Sequence, residues 1–284
     1  MVALVAGAWS TAKAGYADDE NEDAYAVSNP GANEPLRVAV ADGATGATFS
    51  GAWAKLLADD YAAGHLLPET LAARLALLTG VWQNTVFAKP LPWHAEAKIA
   101  RDGSAAALLG VTVLPGGAYH ALAVGDCNLF HLRPASDADF AVVCSFPQTQ
   151  SGDFSGSPVL VGTQAETHAA LAPHIKTGAG TLYPGDVPYA MSDALAAWFL
   201  REIESRQAPW RWLAALGTPR ADAALRQMVR DLRDAKRLKD DDVVVARIEA
   251  RDSCPPHTGD GRHSNRCDKS GGRGFAGVPP GGVC

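Results

Sequence analysis

Aspartates recur along this chain wherever an apolar, strand-like run begins or ends. The positions are Asp23, Asp42, Asp126, Asp193 and the run Asp240-Asp241-Asp242. A single aspartate of this kind is usually a turn or cap residue. A carboxylate at the end of a buried strand is costly unless its charge is neutralised. Five such places in one chain therefore predict that the strand ends converge and that the carboxylates share cations. An oxygen-only donor set favours Mg²⁺ or Mn²⁺ over Zn²⁺.

The periodicity of the apolar residues predicts a layered α+β fold. We expect strands at 1–9, 36–41, 104–114, 118–125, 129–133, 187–191 and 243–248. We expect two helices capped by Ser50 and Ser192, and two more over 69–88 and 221–237. The region 145–180 is predicted to be a long irregular excursion. Adjacent strands with helices grouped separately favour antiparallel sheets over βαβ winding. The folded domain is predicted to cover residues 1–250, followed by a Gly/Pro-rich disordered tail over 251–284.

Composition excludes several classes of function. The formal net charge is −6, so binding to nucleic acid would gain little from counterion release. No stretch approaches the roughly 18 uncharged apolar residues of a membrane helix. The five cysteines do not form a secreted disulfide framework, which favours the cytoplasm. In the tail, Cys254, His257, His263 and Cys267 have a spacing that could bind zinc, but no helix or strand pattern surrounds them, and we favour chance.

Six short motifs, in order over residues 10–250, resemble the metal-dependent protein phosphatases of the 2C type. Gly15 to Ala24 looks like the opening Gly-x-x-Arg-x-x-Asn-Glu-Asp motif, and Asp42-Gly43 is similar to Asp-Gly-x-Gly-Gly. The later matches are Asp102-Gly103-Ser104, Gly125-Asp126, Gly185-Asp186 with Ser192-Asp193, and Asp241-Asp242 before the last strand. Each motif alone is weak, and the shared order carries the resemblance.

The resemblance implies a four-layer α-β-β-α sandwich with two antiparallel sheets flanked by helices, and a centre of two Mg²⁺ or Mn²⁺ ions at one end. By this resemblance Asp42 bridges both ions, and Gly43 offers its carbonyl to one of them. Asp193 and Asp241 bind the other ion, while Glu22 and Asp23 hold metal-bound water. Asp126 with Asp193 forms a weaker third metal site. We take Asp42, Asp193 and Asp23 as the catalytic residues. Asp240 stays open as an alternative to Asp241, because the register of the aspartate run is ambiguous.

The sequence departs from the family at the phosphate-binding arginine, which is replaced by Asp18. Lys13 or Lys98 could substitute, although neither has the planar fork of arginine. Ala44 stands where some members carry a histidine, and Ala194 replaces a glycine.

The activity expected from the resemblance is hydrolysis of phosphoserine or phosphothreonine in a protein, opposite a cognate kinase in a bacterial signalling system. Two alternatives stay open: a phosphatase-like module that binds phosphoproteins without turnover, and a hydrolase of small phosphorylated metabolites. Neither nucleic acid nor a membrane is expected as a partner.

Overall fold

The computed structural model describes residues 2–31, 33–136 and 139–252. Its strands are β1 (Val2–Thr11), β2 (Asp23–Val27), β3 (Leu36–Gly43), β4 (Ala105–Val113), β5 (Ala118–Val124), β6 (Asn128–Ser136), β7 (Asp139–Phe146), β8 (Val161–Gly162), β9 (Lys176–Thr181), β10 (Val187–Met191) and β11 (Val243–Asp252). Its α-helices are α1 (Ser50–Ala62), α2 (Leu71–Val86), α3 (Trp93–Asp102), α4 (Ala165–His168), α5 (Asp193–Glu204), α6 (Trp210–Leu213) and α7 (Ala221–Asp234).

The strands form two antiparallel sheets. One has the order β1-β11-β10-β6-β7, and the other has the order β2-β3-β4-β5-β9, with the short β8 beside β4. Three apolar clusters hold the layers together, because each sheet buries both faces. Val40, Leu129 and Val244 belong to the cluster between the sheets. The predicted four-layer α-β-β-α sandwich is confirmed.

The helices cover the outer faces of the sheets through bulky aromatic residues. Trp53 of α1 and Trp82 of α2 are buried against the sheet that contains β3. Trp198 and Phe199 of α5 are buried against the sheet that contains β10, together with the apolar face of α7. In the described part of the chain, no helix is both long enough and apolar enough to cross a membrane.

The structure corrects three expectations about local elements. The supposedly irregular 145–180 region contains β8, α4 and most of β9, whose sequence KTGAGT carries no apolar alternation. The sequence patterns also missed β7 and α3, since α3 buries only Ile99. Ser50 is the first residue of α1 and not its cap, and its hydroxyl donates to Glu22 instead. The tail from residue 253 onward, with its candidate zinc ligands, lies outside the described residues.

Strand register brings the ends of the central strands together at one end of the sandwich. Asp23, which opens β2, pairs directly with Asp42 near the end of β3. In the other sheet, Met191 at the end of β10 pairs with Val245 near the start of β11. The charges of Asp193 and Asp241 act on Asp23, so acidic residues from both sheets meet at the same end of the fold.

Candidate metal centre

Asp23 and Asp42 form the buried floor of an acidic cluster. Asp23 is 8% exposed, and its Oδ2 has no hydrogen-bond partner among the described residues. The Ser192 side chain hydrogen-bonds to the Asp23 carboxylate, while its Oγ also accepts the N–H of Val244 at 2.9 Å. An unpartnered carboxylate oxygen at such depth is rare in folded proteins, and it is the kind of atom that a cation would pair with.

The pKa values of three carboxyl groups rise because these residues are buried close together. Burial raises the pKa of Asp23 well above its usual range, and the charges of Asp242, Asp193 and Asp241 add to the effect. Burial raises the pKa of Asp42 well above its usual range, as do the neighbouring charges and a hydrogen bond with Asp193. For Asp126, burial and the charge of Asp193 raise the pKa to about 6. Bound cations would relieve this repulsion.

Asp193 and Asp241 share a lysine that the sequence analysis did not single out. Lys239 Nζ lies 2.6 Å from Asp241 Oδ2 and 3.5 Å from Asp193 Oδ2. Burial alone would lower the pKa of Lys239, but its bond to Asp241 and the two carboxylate charges raise it. The ammonium group thus partly neutralises the acidic cluster as it stands.

The two neighbours of Asp241 are committed to other contacts. Asp240 Oδ1 accepts the N–H of Ala14 at 2.9 Å and lies 3.3 Å from Nε of Arg233. Asp242 is buried, and its two oxygens accept the backbone N–H groups of Lys13 and Glu22, each at 2.8 Å. Asp242 therefore fastens the segment before β2 to the start of β11.

Glu22 and Gly43 lie beside the cluster in close contact with each other. Glu22 Oε1 accepts the Ser50 hydroxyl at 2.7 Å, and its Oε2 lies 3.2 Å from Lys13 Nζ. The N–H of Gly43 donates to the Glu22 carbonyl at 3.2 Å. A Cβ at position 43 would lie 2.5 Å from that carbonyl oxygen, which explains the glycine.

The two lysines that could bind the substrate phosphate are bonded to other groups of the protein. Lys13 is paired with Glu22, and Lys98 Nζ donates to the Gly46 carbonyl at 2.6 Å. Asp18, which stands where the family carries arginine, is exposed and accepts a hydrogen bond from Arg226 at 2.8 Å. This pair joins the loop before β2 to α7, 208 residues later.

The donor set fits hard divalent cations, although the side chains are not preset around one. Carboxylates and a backbone carbonyl are ligands that Mg²⁺ and Mn²⁺ accept. The unpartnered Oδ2 of Asp23 and the raised pKa values of Asp42 and Asp126 support the fit. Within residues 2–31, 33–136 and 139–252, no three His, Cys, Asp or Glu side chains are arranged to hold an ion as they stand. Cation binding would therefore require rotamer changes, and Lys239 would compete with the cation for Asp193 and Asp241.

Comparisons with known proteins bear on the fold. No family profile and no curated protein sequence matches the chain. Solved structures do match. One is the catalytic domain of the serine/threonine protein phosphatase PstP in complex with two manganese ions. It aligns over 89% of this chain and 100% of its own, with 18% sequence identity and a TM-score of 0.52. This chain has the fold of those phosphatases. The Mycobacterium tuberculosis serine/threonine phosphatase PstP/Ppp aligns over the same shares at 15% identity and a TM-score of 0.54. A bacterial serine phosphatase also aligns over these shares of the two chains, at 14% identity and a TM-score of 0.54.

Sequence reasoning gave no role in the site to Ser192, Asp242 and Lys239, which contact the cluster, or to Arg226, which bonds to Asp18. Ser192 was interpreted only as a helix cap, although it bonds to Asp23. Asp242 could have been found from its place next to Asp241. No local sequence pattern indicated Lys239 or Arg226. Arg226 bonds to Asp18 and Lys239 contacts Asp193, and both partners are distant in sequence.

Proposed function

We propose that this protein is a metal-dependent hydrolase of phosphoserine and phosphothreonine in proteins, acting with two Mg²⁺ or Mn²⁺ ions and a weaker third. The observation that carries the proposal is the buried carboxylate cluster at one end of a phosphatase-like sandwich, with an unpartnered oxygen on Asp23. Clustered buried carboxylates are unstable without a counter-charge. The fold supports the proposal, since two of the matching structures are phosphatases of phosphorylated serine or threonine by name.

The residues would divide the work by position. Asp42 and the Gly43 carbonyl would bind one cation, with Asp42 reaching the second cation beside Asp193 and Asp241. Glu22, whose carboxylate is held at the edge of the cluster by Ser50 and Lys13, would orient water together with Asp23. Asp126 would hold the weaker third ion. The contacts of Asp240 with Ala14 and Arg233 favour Asp241 as the ligand.

The chemistry follows from this donor set. Divalent cations held by these residues would lower the pKa of a bound water and neutralise charge on the phosphoryl oxygens. The carboxylates of Glu22 and Asp23 would orient a water toward the phosphorus, so that no covalent phosphoenzyme would be needed. Ala44 offers no proton donor for the leaving group, whose proton must come from water in the site. A kinase that phosphorylates the same substrates would be the functional counterpart.

Two observations favour a second function, a phosphoprotein-binding module without turnover. Lys239 is bonded to two proposed ligands, and Asp18 replaces the expected phosphate-binding arginine. While Lys239 stays on Asp193 Oδ2 and Asp241 Oδ2, its positive charge opposes cation binding at both carboxylates. The two functions differ in whether added Mn²⁺ produces turnover.

The test is hydrolysis of p-nitrophenyl phosphate and a phosphothreonine peptide, with Mn²⁺ and with EDTA. We expect Mn²⁺-dependent release of phosphate from both, and a loss of at least about 100-fold in Asp42→Asn and Asp193→Asn. Asp19→Asn, an exposed change with the same loss of charge, is the matched control. Peptide binding without turnover would support the second function. Turnover of phosphorylated metabolites but not of peptides would identify a metabolite phosphatase.

A further inference from the structure

An open cavity of about 580 Å³ lies between the C-terminal ends of α5 and α7 and the loop that leads into β11. Five basic residues contribute to its walls: Arg201, Arg233, Lys236, Arg237 and Lys239. Lys239 also contacts Asp241 and Asp193. The cavity therefore adjoins the carboxylate cluster, separated from it by one lysine side chain.

Ion pairs within the protein account for only part of this positive charge. Arg237 lies 2.6 Å from Glu202, and Arg233 lies 3.3 Å from Asp240, so the two acidic residues of the wall are used. Lys239 is neutralised by the cluster. Arg201 and Lys236 have no carboxylate partner among the described residues, and both are exposed. Two positive charges are therefore left unbalanced in a chain of net charge −6.

The helix dipoles do not cancel these two charges. The C-terminus of a helix acts like about half a negative charge, so the ends of α5 and α7 together supply about one. Arg201 already uses one guanidinium N–H on the Arg237 carbonyl at 3.2 Å. About one positive charge remains without a partner, which is the charge that a phosphate or a carboxylate would balance.

We propose that this basic cavity binds a second oxyanion on the peptide substrate, a few residues from the phosphate at the carboxylate cluster. The inference rests on the proposed function and names its substrate class. An extended peptide advances about 3.3–3.6 Å per residue, so a side chain two or three residues away reaches the neighbouring cavity. The oxyanion belongs either to a second phosphorylated residue or to an aspartate or glutamate. Guanidinium groups bind both, and phosphate more strongly. The cavity would provide the anion recognition that Asp18 does not.

The first measurement is binding without turnover, by fluorescence anisotropy in Mn²⁺ of labelled peptides whose phosphoryl groups are non-hydrolysable phosphonates. Three peptides share one phosphothreonine and carry phosphothreonine, aspartate or alanine three residues away. We expect the doubly phosphorylated peptide to bind about tenfold more tightly than the alanine peptide, with the aspartate peptide between them. In Arg201→Gln/Lys236→Gln the three affinities should become equal. Arg230→Gln/Lys55→Gln, which removes two exposed charges outside the cavity, should keep the preference.

The second measurement is peptide hydrolysis in Mn²⁺, which separates this inference from the proposed function. The alanine peptide should show a higher KM than the doubly phosphorylated one at similar kcat, and the Arg201→Gln/Lys236→Gln variant should remove the difference. Preferential binding without hydrolysis would overturn the proposed function and leave the cavity assignment standing. Equal affinities of the parent protein for the three peptides would overturn the cavity assignment. So would equal loss of preference in both double variants, since that would indicate a diffuse electrostatic effect.

Discussion

Asp126 lies in the turn between β5 and β6, where burial and the charge of Asp193 raise its pKa to about 6 from the ordinary value of 3.8. A carboxyl whose pKa is higher in the folded chain costs no stability below about pH 4, where it is protonated in both states. The loss of stability grows as the pH rises from about 4 to about 6, and it is complete above about pH 6. The difference corresponds to at most about 3 kcal/mol, at about 1.36 kcal/mol per pH unit.

We therefore expect metal-free Asp126→Asn to be more stable than the parent protein at pH 7.5 by about 1–3 kcal/mol, the lower figure allowing for solvent screening. The gap should close at pH 4, because the parent carboxyl is then neutral. The assay is urea unfolding in EDTA, followed by tryptophan fluorescence at both pH values. Asp19→Asn, an exposed change of the same kind, should shift stability by less than about 0.5 kcal/mol at either pH. If the Asp126→Asn variant is no more stable than the parent at pH 7.5, or is equally stabilised at pH 4, the electrostatic reasoning is refuted.

Two further substitutions test the packing of the fold. Burial alone would raise the pKa of Asp186, but hydrogen bonds from His131 and Arg133 lower it to about 2. Asp186→Asn should therefore lower the free energy of unfolding in urea by about 3 kcal/mol above pH 4. A loss below about 1 kcal/mol would contradict this. Gly43→Ala places a Cβ 2.5 Å from the Glu22 carbonyl oxygen and should cost about 1–3 kcal/mol and reduce hydrolysis. Unchanged stability and activity would show that the close approach is relaxed at no cost.

The sequence was sufficient to predict the layers and the end of the sandwich where the acidic residues meet. Strand periodicity located β3, β4 and β10, and the short motifs placed an aspartate at the end of each central strand. Register then brings Asp23 opposite Asp42, as converging strand ends require. The elements that were missed lack such periodicity. β9 is rich in glycine and threonine, and α3 buries one apolar residue.

Contacts between distant residues could not be predicted from local patterns. The bond between Asp18 and Arg226 spans 208 residues, and only the fold shows that the expected arginine position is occupied by an ion pair. Lys239 lies next to the aspartate run in sequence, but its contact with Asp193 depends on how β10 and β11 pair. The basic cavity likewise forms only when the loop Lys236-Arg237-Leu238-Lys239 comes together with α5 and α7 in the fold.

The central claim is that the acidic cluster is a centre for divalent cations, and Mn²⁺ binding followed by electron paramagnetic resonance tests it most directly. Titration of the chelator-treated protein, with free Mn²⁺ measured at each step, gives the number of bound ions without any need for turnover. We predict at least two bound Mn²⁺ per chain in the parent protein, fewer than two in Asp42→Asn, and an unchanged number in Asp19→Asn. The absence of bound Mn²⁺ in the parent protein, or equal binding in Asp42→Asn, would contradict the account.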